Sequence, residues 1–281
     1  MNSWYVNGEA VEHLAVDDRG LQYGDGLFET IAIRNGEARL WSKHMERLNK
    51  GCELLGIVMP TESDLHAGVM QAVTASGVLP AYAVTKIILT AGTSLRGYGR
   101  QRDQLPFVLF GAFAATPPPA VSYQNGIEVA LCETRLASNS AFAGIKTLNR
   151  LEQVLARSEI MATDAYEGLT MDADDNIICG TMSNVFFVQN KTISTAPVDR
   201  SGVSGVMRRH AIDVLRKQEL DTRLQYTDLP SLGDVEEVFL SNSQFGVMPV
   251  NRCGERTWSV GPVTRKVMSL LAEAGIDECR L

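Results

Sequence analysis

What this 281-residue chain lacks narrows its possible functions first. Its five cysteines (Cys52, Cys132, Cys179, Cys253 and Cys279) are odd in number, scattered and without a Cys-x-x-Cys spacing. That excludes a disulfide framework and a cysteine zinc site, and fits reduced thiols. Only four histidines occur, and no two stand at ligand spacing. Positive charge is also short: 26 Lys and Arg against 33 Asp and Glu give a net charge of −7. Such a chain is a poor match for nucleic acid or an anionic membrane surface, although a small basic pocket for an anionic ligand remains open. No apolar run is long enough to span a bilayer. Met1–Val6 carries neither a basic segment nor an apolar one, so no secretory leader is expected. A cytoplasmic enzyme is the expectation.

What is present is ordinary for a globular protein, with 45% hydrophobic and 21% charged residues, and the length suits two domains. Asn7-Gly8 and Asn35-Gly36 each divide a pair of short β-prone runs, which predicts hairpins at 4–11 and at 27–41. Ser42 is the expected cap of a helix whose apolar face is Met45, Leu48, Cys52 and Leu55. A second helix is expected from Thr61, burying Leu65, Val69 and Val73, with strands at 82–90 and 107–113. Thr116-Pro117-Pro118-Pro119-Ala120 is the clearest boundary, because a proline run cannot enter a central strand. It predicts a smaller N-terminal domain (1–115), a linker (116–120) and a larger C-terminal domain (121–281) that carries Lys146. Strands at 127–132, 169–171, 185–188, 223–226 and 238–240 and helices from about 205 and over 263–274 fill the second part. Strands and helices mix without a strict βαβ rhythm, so the fold class is α/β, of the mixed α+β kind.

Lys146 is the residue with the most chemical potential. It precedes Leu148, Leu151, Val154 and Leu155, whose spacing predicts an amphipathic helix with one buried face. A lysine at the positive end of a helix dipole, poorly solvated, can lose its proton and attack a carbonyl. Gly202-Val203-Ser204-Gly205-Val206-Met207-Arg208 is a glycine-rich turn running into a helix, and free N–H groups there can cradle a phosphate. Reactive lysine and phosphate cradle together suggest pyridoxal 5'-phosphate. Arg47, in His44-x-x-Arg47-Leu48, is a candidate phosphate fork or a solvated helix-face arginine, and His44 reads as structural. Arg96-Gly97-Tyr98-Gly99-Arg100 suits a carboxylate-binding loop.

These motifs in this order resemble the fold-type IV (class IV aminotransferase) pyridoxal-phosphate enzymes. The resemblance spans nearly the whole chain. It runs through Asp18-Arg19-Gly20, Tyr23-Gly24-Asp25-Gly26-Leu27-Phe28-Glu29-Thr30, His44-x-x-Arg47-Leu48 and Arg96-Gly97-Tyr98. It continues through Gly144-Ile145-Lys146-x-Leu148-Asn149-Arg150-Leu151-Glu152, Ser183-Asn184-Val185-Phe186 and Gly202-Val203-x-Gly205-Val206-Met207-Arg208. It implies a two-domain homodimer with the cofactor at the domain interface. By the same resemblance Lys146 holds the cofactor covalently and moves protons. Arg47, the backbone N–H groups of Val206 and Met207, Ser243, Asn184 and Cys179 line the cofactor, while Arg96, Tyr98 and Phe28 face a small anionic substrate. Thr30, where branched-chain aminotransferases carry glycine, and the Lys-x-Leu-Asn-Arg run are most like members that split 4-amino-4-deoxychorismate into 4-aminobenzoate and pyruvate for folate biosynthesis. The alternatives are a class IV aminotransferase for D-amino acids, branched-chain amino acids or amines, and a weakened homologue kept for binding.

Two positions depart from the family pattern. Cys179 stands where the group usually has a glutamate that pairs with the cofactor's pyridine nitrogen, and a neutral thiol is a weak substitute. Ala91 stands where relatives commonly carry the first arginine of an Arg-Gly-x-x-x-Arg-Gly-Tyr run. Catalytic rate, not cofactor binding, is what these changes affect.

Overall fold

In the computed structural model, which describes residues 3–101 and 104–280, alternation of side chains sets the first sheet. β1 (Ser3–Val6) and β2 (Glu9–Val11) form a hairpin turned by Asn7 and Gly8, both at positive φ as a type I′ turn requires. α1 (Arg19–Tyr23) is one short turn capped by the Asp18 side chain. β3 (Gly26–Arg34) turns through Asn35-Gly36 into β4 (Glu37–Ala38). α2 (Trp41–Leu55) and α3 (Glu62–Ser76) follow, then β5 (Tyr82–Thr90) and β6 (Phe107–Ala114). The six strands run antiparallel in the order β2-β1-β6-β5-β3-β4. One face of β3 and β5 (Leu27, Ile31, Ile33, Ile87, Leu89) is buried in a cluster with Met45 and Leu48 of α2 and Leu65 and Val69 of α3. Such side chains contribute about 1.5–3 kcal/mol each.

The second run of the chain contains α4 (Ala120–Asn125), β7 (Ile127–Arg135), α5 (Leu151–Ile160), β8 (Glu167–Met171) and β9 (Ile177–Gly180). It continues with β10 (Asn184–Gln189), β11 (Thr192–Thr195), α6 (Val206–Lys217), β12 (Thr222–Leu224) and β13 (Glu237–Asn242). β14 (Gly246–Cys253), β15 (Arg256–Thr257) and α7 (Pro262–Glu273) complete it. The sheet order is β12-β11-β10-β13-β14-β7-β8-β9, and an Asn184–Cys179 pairing joins β9 back to β10. Six strands therefore close into a ring, a device that removes free edges. Its β7–β8 and β7–β14 contacts are parallel and the rest antiparallel, so the architecture is the expected mixed α+β.

Several expectations are corrected. The chain divides into two compact units, Met1–Thr116 with Ile145–Asn149, and Pro117–Gly144 with Arg150–Leu281. Lys146, expected in the second domain, thus groups with the first unit. Its segment is extended, not helical: Phe28 N–H donates to the Lys146 carbonyl (3.0 Å) and Leu148 N–H to the Gly26 carbonyl (3.0 Å). Satisfying the start of β3 in this way delays α5 to Leu151, so Lys146 lies beyond the reach of that helix dipole. The expected buried face is also wrong. Leu151, Val154 and Leu155 are 78%, 57% and 59% exposed, and it is Ala156 and Ile160 that pack, against Cys132. Ser42 does not cap α2; Leu40, in a left-handed conformation, precedes a helix that starts at Trp41, because β4 ends early at Ala38.

Candidate functional site

The first unit gathers its polar groups on the two faces of β3. On the half-exposed face, alternation places Phe28 and Thr30, and the register of β5 sets Lys86 directly opposite Thr30. The ammonium of Lys146 lies 4.2 Å from the centre of the Phe28 ring, and that of Lys86 lies 4.8 Å from it. One aromatic ring thus carries two ammonium groups in cation–π contact. Burial pushes the Lys86 pKa down, because the charged form loses solvent.

The opposite, buried face of β3 carries Glu29 in a row with Leu27, Ile31 and Ile33. Glu29 is 1% exposed and meets two residues of α2 one helical turn apart. Arg47 donates from Nε (2.8 Å) and Nη2 (2.5 Å) to its two oxygens, and His44 Nδ1 lies 2.6 Å from Oε2. Burial acts to raise the Glu29 pKa, but the charges and hydrogen bonds of Arg47 and His44 outweigh it and hold it at about 2. Burial lowers the pKa of His44, with Arg47 and Lys146 adding to the effect against the pull of Glu29. An ionised Glu29 can only accept, so Nδ1 carries the imidazole proton and Nε2 is the acceptor. That Nε2 is buried with no hydrogen-bond partner among the described residues. Arg47, read as either a phosphate fork or a solvated arginine, is buried and held, so the solvated reading fails.

The 92–100 loop is organised from below. Arg19, 3% exposed, donates to the Ser94 hydroxyl (2.8 Å) and to the carbonyls of Gly97, Tyr98 and Gly99. Asp25 accepts from both Arg19 and Arg100. Although burial raises the Asp25 pKa, these two guanidiniums bring it below the usual range. Arg96 and Tyr98 are both exposed, Tyr98 at 86%, and the Tyr98 ring meets the Tyr23 ring edge-on at 5.3 Å. Arg100, grouped with Arg96 as a possible carboxylate ligand, is instead spent on Asp25 and the carbonyls of Leu55 and Gly56. Ala91 is buried in the first unit's core, and its N–H donates to the Asp25 carbonyl (2.9 Å).

In the second unit, α6 begins after Gly205, and Val206 and Met207 bury their side chains, which leaves their backbone N–H groups at the helix start. Asn184 braces this turn, with Nδ2 donating to the Val203 carbonyl (2.9 Å). A Cβ on Gly205 would stand 1.9 Å from Asn184 Oδ1, so any side chain there would displace the Asn184 amide that braces the turn. Opposite Asn184, on β13, lies Ser241, whose buried hydroxyl has no partner among the described residues; Ser243 follows just beyond the strand and is half-buried. Cys179 sits between Thr170 and Asn184 on three neighbouring strands, 3.4 Å from the Thr170 hydroxyl. Burial pushes its thiol up to about 11, against a lowering by Thr170 and Arg150. Glu167 fixes the neighbouring turn by accepting from Thr181, Met182 and Ser183.

Sequence reasoning missed Lys86, Glu29 and Ser241. Alternation along 82–90 could have put Lys86 on a face with Val84 and Ile88, but only the strand register brings it opposite Thr30. Among the described residues there is no group of His, Cys, Asp and Glu suited to hold a metal, and no helix long and apolar enough to cross a membrane.

Comparison with known proteins gives a consistent result. The class IV amino-transferase family model matches residues 26–253. Aminodeoxychorismate lyase of Vibrio harveyi is 31% identical over 272 residues, covering 95% of this chain and 99% of its own. The crystal structure of 4-amino-4-deoxychorismate lyase from Pseudomonas aeruginosa superposes with a TM-score of 0.90 at 36% identity, covering 97% of this chain and 99% of that one. D-alanine aminotransferase of Bacillus licheniformis is 25% identical over 280 residues, covering 97% of this chain and 96% of its own.

Proposed function

Because the chain belongs to the class IV aminotransferase family, we propose that it is a pyridoxal-5'-phosphate-dependent lyase converting 4-amino-4-deoxychorismate to 4-aminobenzoate and pyruvate. The observation that carries this reading is the sheet face on which Lys146 and Lys86 flank Phe28 beside Thr30. It combines a nucleophilic amine, a hydroxyl and a second cation, which an anionic substrate that must shed a three-carbon acid would use.

The residues fit the cofactor. Lys146 supplies the amine, and Arg47 is a buried fork of fixed orientation. The α6 start offers backbone N–H groups to an anion, and the Ser241 hydroxyl is a buried polar atom without a partner among the described residues. We assign Lys146, Arg47, Val206, Met207, Ser243, Asn184 and Cys179 to the cofactor. When bound, the cofactor supplies an electron sink for the carbon bearing the substrate amine. Lys146 Nζ takes the proton from C4 of the substrate ring. Thr30 Oγ1 delivers a proton to the departing three-carbon fragment. Phe28 supports the ring, and Lys86, Arg96 and Tyr98 hold the substrate carboxylates. A cytoplasmic location fits the five free, buried thiols. The apolar stripe Leu151, Val154 and Leu155 on α5 supports assembly as a homodimer.

The test is formation of 4-aminobenzoate by the purified protein with and without added pyridoxal 5'-phosphate. Activity that depends on the cofactor and disappears in Lys146→Ala is expected. Keto-acid-dependent amino transfer in the absence of 4-aminobenzoate formation would overturn the lyase assignment in favour of an aminotransferase. The similarity to D-alanine aminotransferase keeps that as the second reading.

A further inference from the structure

Glu29 is a carboxylate in a row where alternation calls for an apolar side chain. Its neighbours on that face of β3 are Leu27, Ile31 and Ile33, each at most 2% exposed. An ionised group in such a place carries a desolvation cost, and even a well-made buried ion pair is seldom more stable than a hydrophobic replacement. Stability therefore does not account for it. Geometry does: Glu29 takes Arg47 Nε and Nη2 on its two oxygens, a paired grip that fixes the plane of the guanidinium, and takes His44 Nδ1 as well.

We propose that Glu29 is a positioning residue for anion binding: it presets the Arg47 guanidinium, through the shared hydrogen bonds with Arg47 and His44, to receive the phosphate group of the cofactor. The proposal rests on the reading of Arg47 as a phosphate ligand. Two effects oppose each other here. The negative charge of Glu29 offsets part of the attraction between Arg47 and a phosphate dianion, while its grip removes rotamer freedom that a free arginine would lose on binding. Arg47 is 8% exposed, so without a carboxylate beside it the guanidinium would be an uncompensated buried charge that the fold would push toward solvent. Preorganisation therefore wins, and Glu29 strengthens phosphate binding despite its sign. The row of apolar neighbours matters to this balance, because the side chains of Leu27, Ile31 and Ile33 carry no acceptor for the guanidinium.

The readout is the ratio of two dissociation constants on cofactor-stripped protein, that of pyridoxal over that of pyridoxal 5'-phosphate, followed by quenching of intrinsic fluorescence. The two probes differ only in the phosphate, so a change in the fraction of folded protein cancels from the ratio. Glu29→Gln is expected to lower the ratio about tenfold, the range of a hydrogen bond to a charged group. Glu29→Asp, which keeps the charge but withdraws it by one methylene, is expected to lower it too and serves if the Gln variant does not fold. In an Arg47→Ala background, Glu29→Gln should produce no further change, since Glu29 acts through Arg47. A ratio unchanged or raised in both Glu29 variants, with Arg47→Ala collapsing it, overturns the positioning role while leaving Arg47 as the phosphate ligand. A ratio unaffected by Arg47→Ala overturns the reading of Arg47 and this proposal with it.

Discussion

Cys179 occupies a position that a carboxylate would make powerful. It is 6% exposed, shares its strand neighbourhood with Thr170 and Asn184, and burial pushes its thiol up to about 11 despite the charge of Arg150. Near neutral pH it is therefore an uncharged thiol, which in the proposed cofactor site would leave a protonated ring nitrogen without a counter-charge. An elimination that ends in an aromatic ring leans less on such a sink than an amino transfer does. Cys179→Glu is thus expected to raise kcat/KM for amino transfer by a larger factor than kcat/KM for 4-aminobenzoate formation. Equal gains in the two assays would refute this reasoning. A second residue-scale consequence concerns acid. Glu29 is held at about 2, below its unfolded value, so its contribution is present above about pH 4.5 and is lost as pH falls toward 2. His44, a base with a lowered pKa, takes up a proton more readily when unfolded, so it also favours the folded state less as pH falls below about 6.5. Thermal midpoints are expected to fall from pH 7 to pH 4. In Glu29→Gln the midpoint should be lower at pH 7, by the equivalent of about 3 kcal/mol, and should converge on wild type as acid protonates Glu29. Parallel curves for the two proteins would contradict the pairing.

At the scale of elements, the legible features were those with a period and a punctuation mark. The Asn-Gly hairpins, the Thr61-capped α3 and β5 over Tyr82–Thr90 follow from turn chemistry and alternation. β9 and β14 lack an alternating pattern, because β9 and most of β14 are buried on both faces and read only as apolar runs. The start of α5 misled for a different reason. Leu148, Leu151 and Leu155 have helical spacing, yet Ile145–Asn149 gives its backbone to β3, and no local signal announces a pairing with residues more than a hundred positions away. The same limit hid the grip of Glu29 on Arg47, while Lys146, Arg47, Thr30 and the α6 turn were legible as motifs. α7 shows another long-range dependence. Its N-cap, Gly261, has no side chain, and a Cβ there would meet Glu237 of β13 at 2.2 Å. The Glu237 carboxylate caps the helix instead, accepting from Val263 (3.0 Å) and Thr264 (2.6 Å). Glu237→Ala leaves both N–H groups without that acceptor and is expected to cost roughly 1–3 kcal/mol in denaturant unfolding. A loss below about 0.5 kcal/mol, ordinary for a surface change, would mean that water caps α7 equally well.

For the whole molecule, the net charge of −7 opposes an anionic substrate at long range, so attraction has to come from local cations, Lys86 beside Phe28 and the exposed Arg96. The large apolar side chains left in solvent pose a separate question. Leu151, Val154 and Leu155 follow one another along α5 at helical spacing and are all more than half exposed, while the packed side of the same helix carries Ala156 and Ile160. Single exposed leucines need no explanation, but three on one helical stripe amount to an unfilled hydrophobic face. A second copy of the chain placed on a twofold axis would cover that stripe with the same residues, and burying one such side chain is worth about 1.5–3 kcal/mol. Sedimentation of the wild-type protein is accordingly expected to give the mass of two chains. Leu151→Asp combined with Leu155→Asp should shift the equilibrium toward one chain without lowering the thermal midpoint of the monomer, because neither residue contributes to the described core. If the double variant sediments as the wild type does, the α5 stripe is not a surface that joins two copies.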